Sequence, residues 1–206
     1  MCIRDSVITA GLIENAMSYE AYRTLIDDLL SENRVTGNFM ENSEEVLGYT
    51  KMNIARMRRG DKTFKIKAEL KGIIQSISQQ QIWLVITEGW CGDAAQSVPA
   101  IVKMAGLNPN IRIKFVLREE HLNLMDAYLT DGTRSIPKLI IINAESLEEL
   151  GTWGPRPAIA QTITDDYKKK GTVSYQEYAQ QLHKWYAKDK YQSIQAEIQT
   201  MLLALN

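Results

Sequence analysis

Four short apolar runs, separated by stretches of helical character, occupy the middle of the chain and restrict its fold more than any other feature. They are Ile82 to Thr87, Ile111 to Leu117, Pro137 to Asn143 and Leu147 to Thr152. Each has the length of a strand, and the segments between them, Asp93 to Ala105 and His121 to Leu129, read as helices. Strands alternating with helices build a sheet covered by helices, an α/β arrangement. The last two runs are joined by Asn143-Ala144-Glu145-Ser146, short enough for a hairpin, so that pair is expected to be antiparallel.

Helices surround this core on both sides. Tyr22, Leu25, Ile26, Leu29 and Leu30 recur at helical spacing within residues 18 to 34, and Gly37 ends that region. A second helix is expected to open at Asn42, with Glu45 completing a capping box, and to run to Gly60. A third, Lys65 to Ile77, gathers Ile66, Leu70, Ile73, Ile74 and Ile77 on one face. After Pro157 a helix runs to about Lys170, Gly171 breaks it, and one long helix opens at Ser174 with Glu177 as its capping partner. Packing on the domain is the plain reading of its apolar face; the terminal helices also offer a surface for a homodimer.

Composition excludes several classes. Of 206 residues 45% are hydrophobic and 24% charged, close to the globular average, so disorder is not expected. Lys and Arg total 24 against 25 Asp and Glu, and a net charge of -1 gives no general attraction to nucleic acid or anionic lipid. The basic cluster Arg56, Arg58, Arg59 and Lys62 reads as a solvated helix end. No apolar run approaches the ~20 residues of a membrane span. Two cysteines without framework spacing favour the reducing cytoplasm. His121 and His183 lie apart from each other and from any cysteine pair, so no metal site is expected, and no Gly-rich phosphate loop calls for a nucleotide cofactor.

Met1-Cys2-Ile3-Arg4-Asp5-Ser6 is similar to a peptide read from a sequencing adapter. Residues 1 to 16 are therefore expected to be a non-native or disordered leader, with Met17 as the natural start, Ser18 as the following N-cap and Cys2 set aside.

The chemistry concentrates in Glu88-Gly89-Trp90-Cys91-Gly92-Asp93-Ala94-Ala95, which leaves a strand and opens a helix. Amide N–H groups and the macrodipole at a helix start stabilise a thiolate. Asp93 beside the sulfur acts in the opposite sense, so the net direction is open from sequence.

Trp90-Cys91-Gly92-Asp93-Ala94 resembles the Trp-Cys-Gly-Pro-Cys motif of the thioredoxin superfamily. Asp93 replaces the motif proline and Ala94 the resolving cysteine. A second match, Arg134-Ser135-Ile136-Pro137-Lys138-Leu139, resembles the thioredoxin segment in which an Ile-Pro pair enters a strand. The chain is most similar to an uncharacterised thioredoxin-like family marked by Trp-Cys-Gly-Asp-Ala-Ala and a later Gly-Thr-Trp-Gly-Pro-Arg-Pro, here Gly151 to Pro157. The resemblance implies a thioredoxin-like fold, a central mixed sheet flanked by helices, over residues 63 to 170. Residues 17 to 62 would be N-terminal helices and 171 to 206 a C-terminal helical extension. It implies that Pro137 is a cis proline facing Cys91, that the Ile136 backbone is a peptide-binding edge, and that Trp90 covers one side of the sulfur. The family's buried strand carboxylate falls at Val85 and is missing.

With Ala94 in the resolving position, a mixed disulfide at Cys91 needs an external thiol to release it. Monothiol exchange with a protein disulfide or a low-molecular-weight mixed disulfide is the leading expectation. The alternatives are a redox-inactive binding module that keeps the groove beside Pro137, and a sensor oxidised at Cys91 to a sulfenic acid. Gly92 and Asp93 support the cysteine. Trp153 and Arg156 are expected at the same end of the sheet, where Arg156 stabilises a thiolate or holds a ligand carboxylate, or else belongs to a turn capping the next helix. Glu88 is a proton carrier or, more plainly, a solvated loop carboxylate. Arg134 binds substrate or occupies a turn.

Overall fold

A computed structural model describes residues 7–37, 42–171 and 174–205. Its elements run α1 (Ala10–Asn15), α2 (Tyr19–Ser31), α3 (Glu44–Thr63), α4 (Ala68–Gln75), β1 (Gln81–Thr87), α5 (Gly92–Ala105), β2 (Ile111–Leu117), α6 (Leu122–Ala127), β3 (Lys138–Asn143), β4 (Glu149–Trp153), α7 (Ala158–Lys170), α8 (Tyr175–Asp189) and α9 (Gln192–Ala204). Cys2 lies outside the described residues.

The sheet has the order β2-β1-β3-β4. Strand β1 pairs in parallel with β2 and antiparallel with β3, and β3 with β4 is the expected antiparallel pair. Every residue of β1 is buried, as continuous apolar runs in a sheet covered on both faces require. Leu84, Ile86, Leu139, Ile140, Phe115, Val98 and Ile101 are wholly inaccessible, each such side chain worth about 1.5–3 kcal/mol of burial.

Residues 7 to 16 pack on this core, which departs from the disordered alternative for that stretch. Thr9 caps α1, its hydroxyl accepting from Leu12 N at 3.1 Å, and Ile8, Ile13 and Ala16 are buried. Met17 then closes the free edge of β2 with two backbone bonds to Phe115, both 2.9 Å. A covered edge removes the unpaired N–H and C=O groups that invite association.

The N-cap of α3 is Ser43, not Asn42; the Asn42 side chain is engaged in accepting from Val35 N at 2.9 Å. That helix continues past Gly60, whose bare Cα lets α3 approach Pro99 of α5, since a Cβ there would lie 2.8 Å from the proline ring. The third helix is shorter than expected, Ala68–Gln75.

The single long C-terminal helix is in fact two. Ser174 and Glu177 form the expected capping box, but Lys190 and Tyr191 both take positive φ, 50° and 66°, and end α8. The turn lets α9 return against the sheet and α4: Ile198 and Leu202 are buried, and Gln195 Oε1 accepts from Lys67 N at 2.8 Å. Among the described residues no helix is long and apolar enough to cross a membrane.

Candidate functional site

The turn between β1 and α5 is held by side chains from the N-terminal helical region. Thr36 Oγ1 accepts from Gly89 N at 2.8 Å, the Thr36 carbonyl accepts from Trp90 Nε1 at 3.1 Å, and Asn53 Nδ2 donates to the Gly89 carbonyl at 3.1 Å. Glycine is needed at 89 because a Cβ would meet Ile26 at 2.9 Å. The Trp90 ring is packed beneath the Arg118 guanidinium, 4.9 Å from its centre, which fixes one wall of the site.

Glu88 is fully buried, which overturns its reading as a solvated loop carboxylate. Its Oε1 accepts from Glu119 N at 3.1 Å, while Oε2 has no partner among the described residues. Burial raises its pKa, partly offset by hydrogen bonds from Thr36 and the Glu119 amide. Glu88 directly follows the last residue of β1, three residues after Val85.

Cys91 is the N-cap of α5 and only 8% exposed. Ala94 N–H donates to Sγ at 3.4 Å, as a helix start allows, and the thiol donates to the Ile136 carbonyl at 3.3 Å. The Ile136–Pro137 peptide bond is cis and the loop carrying it lies directly against the cysteine. The opposing influences on the thiol now have a direction: its pKa is pushed up to about 12, chiefly by burial and then by the Asp93 charge, with Ala94 N–H and Arg156 acting against them.

Asp93 organises the next layer. Its Oδ2 accepts from Arg156 Nε and Nη2 at 3.0 and 2.6 Å, and its Oδ1 from the Tyr186 hydroxyl at 2.6 Å. Arg156 also donates to Gln161 at 2.8 Å. Arg156 lies in the turn before α7, whose N-cap is Pro157, and its guanidinium reaches both Asp93 and Gln161 of that helix. These bonds use three of the five guanidinium N–H groups.

Trp153 is turned away from this end. Its Nε1 donates to Glu197 of α9 at 2.7 Å, and it borders a different depression with Met201. Gly154 follows with φ of 115°, and a Cβ there would overlap the Pro137 carbonyl; Lys138 Nζ spans the same contact, donating to the Gly154 carbonyl at 3.2 Å. Arg134 is exposed and forms a two-pronged pair with Asp126 at 2.6 and 2.9 Å, which holds the loop before Ile136.

A cleft of about 590 Å³ opens over the cysteine, bordered by Trp90, Cys91, Arg118, Ile136, Tyr178 and His183. Helix α8 supplies residues that sequence reasoning missed: Tyr175, Tyr178, His183 and Tyr186. His183 Nδ1 faces Gln96 Nε2 at 3.3 Å, and burial, reinforced by Arg56 and Arg59, lowers its pKa to about 4, so the imidazole is neutral at pH 7. Their one signal was the tyrosine-rich opening at Ser174, read as helix-start chemistry.

Chemically, the arrangement offers one protonated thiol on the wall of a cleft, with a backbone carbonyl against it. Comparison with known proteins agrees with the fold. Two solved structures share the fold over almost the whole chain: a protein of unknown function from Pseudomonas aeruginosa, at 18% identity and a TM-score of 0.60, covering 96% of this chain and 98% of that one; and an HIV epitope-scaffold, at 17% and 0.57, covering 95% and 97%. No curated protein matches the sequence. A family model described as thioredoxin matches residues 39–168, more than half of the chain and all four strands. The chain therefore belongs to the thioredoxin family, with helices added before and after the family's core.

Proposed function

We propose that the protein carries out monothiol thiol–disulfide exchange through Cys91. The observation that carries this reading is that Cys91 lines an open cleft at the start of α5, with Sγ 3.3 Å from the Ile136 carbonyl and no second cysteine among the described residues. The Cys91 thiolate attacks one sulfur of a disulfide R–S–S–R′. The Cys91–S–R bond forms as the S–S bond breaks, and R′–S⁻ leaves and takes up a proton. An external thiol R″–SH, supplied by the reducing cytoplasm, then loses its proton and attacks the mixed disulfide; the R″–S–S–R bond forms as the Cys91–S bond to R breaks, and the Cys91 sulfur takes up a proton. No further oxidant or reductant is required.

A thiol pKa of about 12 leaves roughly one molecule in 10⁵ ionised at pH 7. The thiol also donates to the Ile136 carbonyl, a bond that only the neutral form can make. A substrate whose own N–H takes the Ile136 carbonyl removes that bond and eases ionisation, which ties reactivity to occupancy of the cleft. The same raised pKa favours the second reading, a redox-inactive binding module in which Cys91 acts only as an N-cap and hydrogen-bond donor.

Mass spectrometry after incubation with a small disulfide separates the two. Exchange predicts an adduct on Cys91 that an added thiol reverses and that Cys91→Ser lacks. The rate should climb about tenfold per pH unit from pH 7 to 11, because the thiolate is the attacking species. An absent adduct at every pH would leave the binding module.

A further inference from the structure

Beside the Cys91–Gly92 turn, helices α3 and α8 enclose a second cavity of about 690 Å³. Trp90, Gly92, Tyr175 and His183 border both this cavity and the cleft over Cys91, so the two adjoin. Its walls are aromatic, with Tyr49 of α3 facing Tyr175 of α8 edge-on at 6.2 Å.

Two hydrogen-bond donors end in this space. Arg56, expected on a solvated helix end, is half-buried and turns inward. Its Nη1 donates to Asn53 Oδ1 at 2.8 Å, a neutral amide whose nitrogen is taken by the Gly89 carbonyl. Arg118, Arg134 and Arg156 of the neighbouring cleft each pair with a carboxylate; among the described residues Arg56 does not. The second donor is His183. Arg59 Nη2 donates to Gln96 Oε1 at 3.2 Å, which turns the Gln96 amide nitrogen toward His183 Nδ1 and leaves the imidazole proton on Nε2. That nitrogen has no acceptor among the described residues. A Cβ on Gly92 would lie 3.0 Å from His183 Nε2 and 3.8 Å from Arg56 Nη1, so both donors converge over the residue that follows the cysteine. The carboxylate bordering the cavity, Glu45, is exposed and accepts the Tyr49 hydroxyl.

We propose that this cavity is an anion subsite in which Arg56 and the Nε2–H of His183 hold a carboxylate of the small disulfide exchanged at Cys91. A guanidinium beside a neutral N–H matches the two oxygens of a carboxylate, and the aromatic walls take the stem that joins it to the sulfur. The proposal rests on the exchange reading above and names its substrate class: a carboxylate-bearing low-molecular-weight thiol.

Two measurements keep the claims apart. The first is isothermal titration of the Cys91→Ser protein with S-methylglutathione, which carries carboxylates and no exchangeable sulfur, and with its diethyl ester. The acid should bind at least tenfold more tightly than the ester. Arg56→Met should erase that preference, Arg56→Lys should retain part of it, and His183→Phe should weaken it. Equal affinity of acid and ester, no binding, or an unchanged preference in Arg56→Met would overturn the subsite whatever Cys91 does. The second compares Cys91 adduct formation with oxidised glutathione and with the uncharged hydroxyethyl disulfide. The ratio of the two rates should fall at least tenfold in Arg56→Met, and a constant ratio would overturn the subsite. No adduct with either disulfide overturns exchange instead, because the titration still reads the subsite alone.

Discussion

Strand β1 places seven buried residues in succession before the Cys91 turn, whereas α8, which borders the same turn, reaches α5 through polar bonds. Tyr186 and Arg156 meet on the Asp93 carboxylate, and His183 meets Gln96. The apolar contacts of α7 and α8 form a small cluster of their own, Ala160, Tyr178, Leu182 and Tyr186, separate from the main core. Non-directional burial holds the sheet; directional bonds to one carboxylate hold the cover over the thiol. The first resists any single polar change, and the second is sensitive to the loss of one hydroxyl or one charge.

Three substitutions break that contrast in order of size, and a fourth sharpens it. Leu84→Ala, at a wholly buried position of β1, should lower global stability by about 2–5 kcal/mol in a urea titration followed by circular dichroism. A loss below about 1 kcal/mol would mean that the sheet is not the main store of stability. Tyr186→Phe leaves the buried Asp93 Oδ1 without its hydroxyl donor and should cost about 1.5–3 kcal/mol. Amide exchange should quicken in α7 and α8 while β1 stays protected; uniform acceleration would make the cover an extension of the core.

Asp93→Asn removes the nearby charge that opposes ionisation of Cys91 and leaves Arg156 charged beside it. Alkylation by iodoacetamide at pH 7 should then speed up by about tenfold, the equivalent of about 1.4 kcal/mol. A slower reaction would show that the cover's bonds to Asp93 matter more to the thiol than its charge. Trp153→Phe acts away from the cysteine, where the bond to Glu197 is lost and a smaller ring stays buried; about 0.5–1.5 kcal/mol is expected, with no change in Cys91 alkylation.

The same contrast decides what could be read from the sequence. Strands β1, β2 and β3 are visible to within a residue because uninterrupted apolar runs have a length and composition of their own. Capping by Ser18 and Ser174 is equally local and equally visible. The break at Lys190 and Tyr191 is not, because neither glycine nor proline marks it and the apolar spacing of α8 continues into α9. Residues 8 to 16 were not legible, because a six-residue helix is too short for an apolar period to show, although Ile8 and Ile13 are ordinary core residues. At the site, Cys91, Trp90 and the Ile136-Pro137 pair were legible as motifs. Arg156 was legible too, through the Gly-Thr-Trp-Gly-Pro-Arg-Pro stretch, but its pairing with Asp93 was not, and neither were His183 and Tyr186; these pairs join residues 63, 87 and 93 positions apart. No local pattern records a meeting over such a distance. Glu88 shows the reverse error, a carboxylate whose chemical type suggested solvent and whose position at a strand end buried it.

The backbone contact between Gly154 and Pro137 has an evolutionary consequence. The space against the Pro137 carbonyl excludes any side chain at 154, and a φ of 115° disfavours every residue but glycine. The Gly-Thr-Trp-Gly-Pro-Arg-Pro signature and the Ile-Pro loop are therefore one mechanical unit written in two separated stretches of sequence. Divergent relatives that keep the second are expected to keep glycine in the first, even where the cysteine itself has been lost.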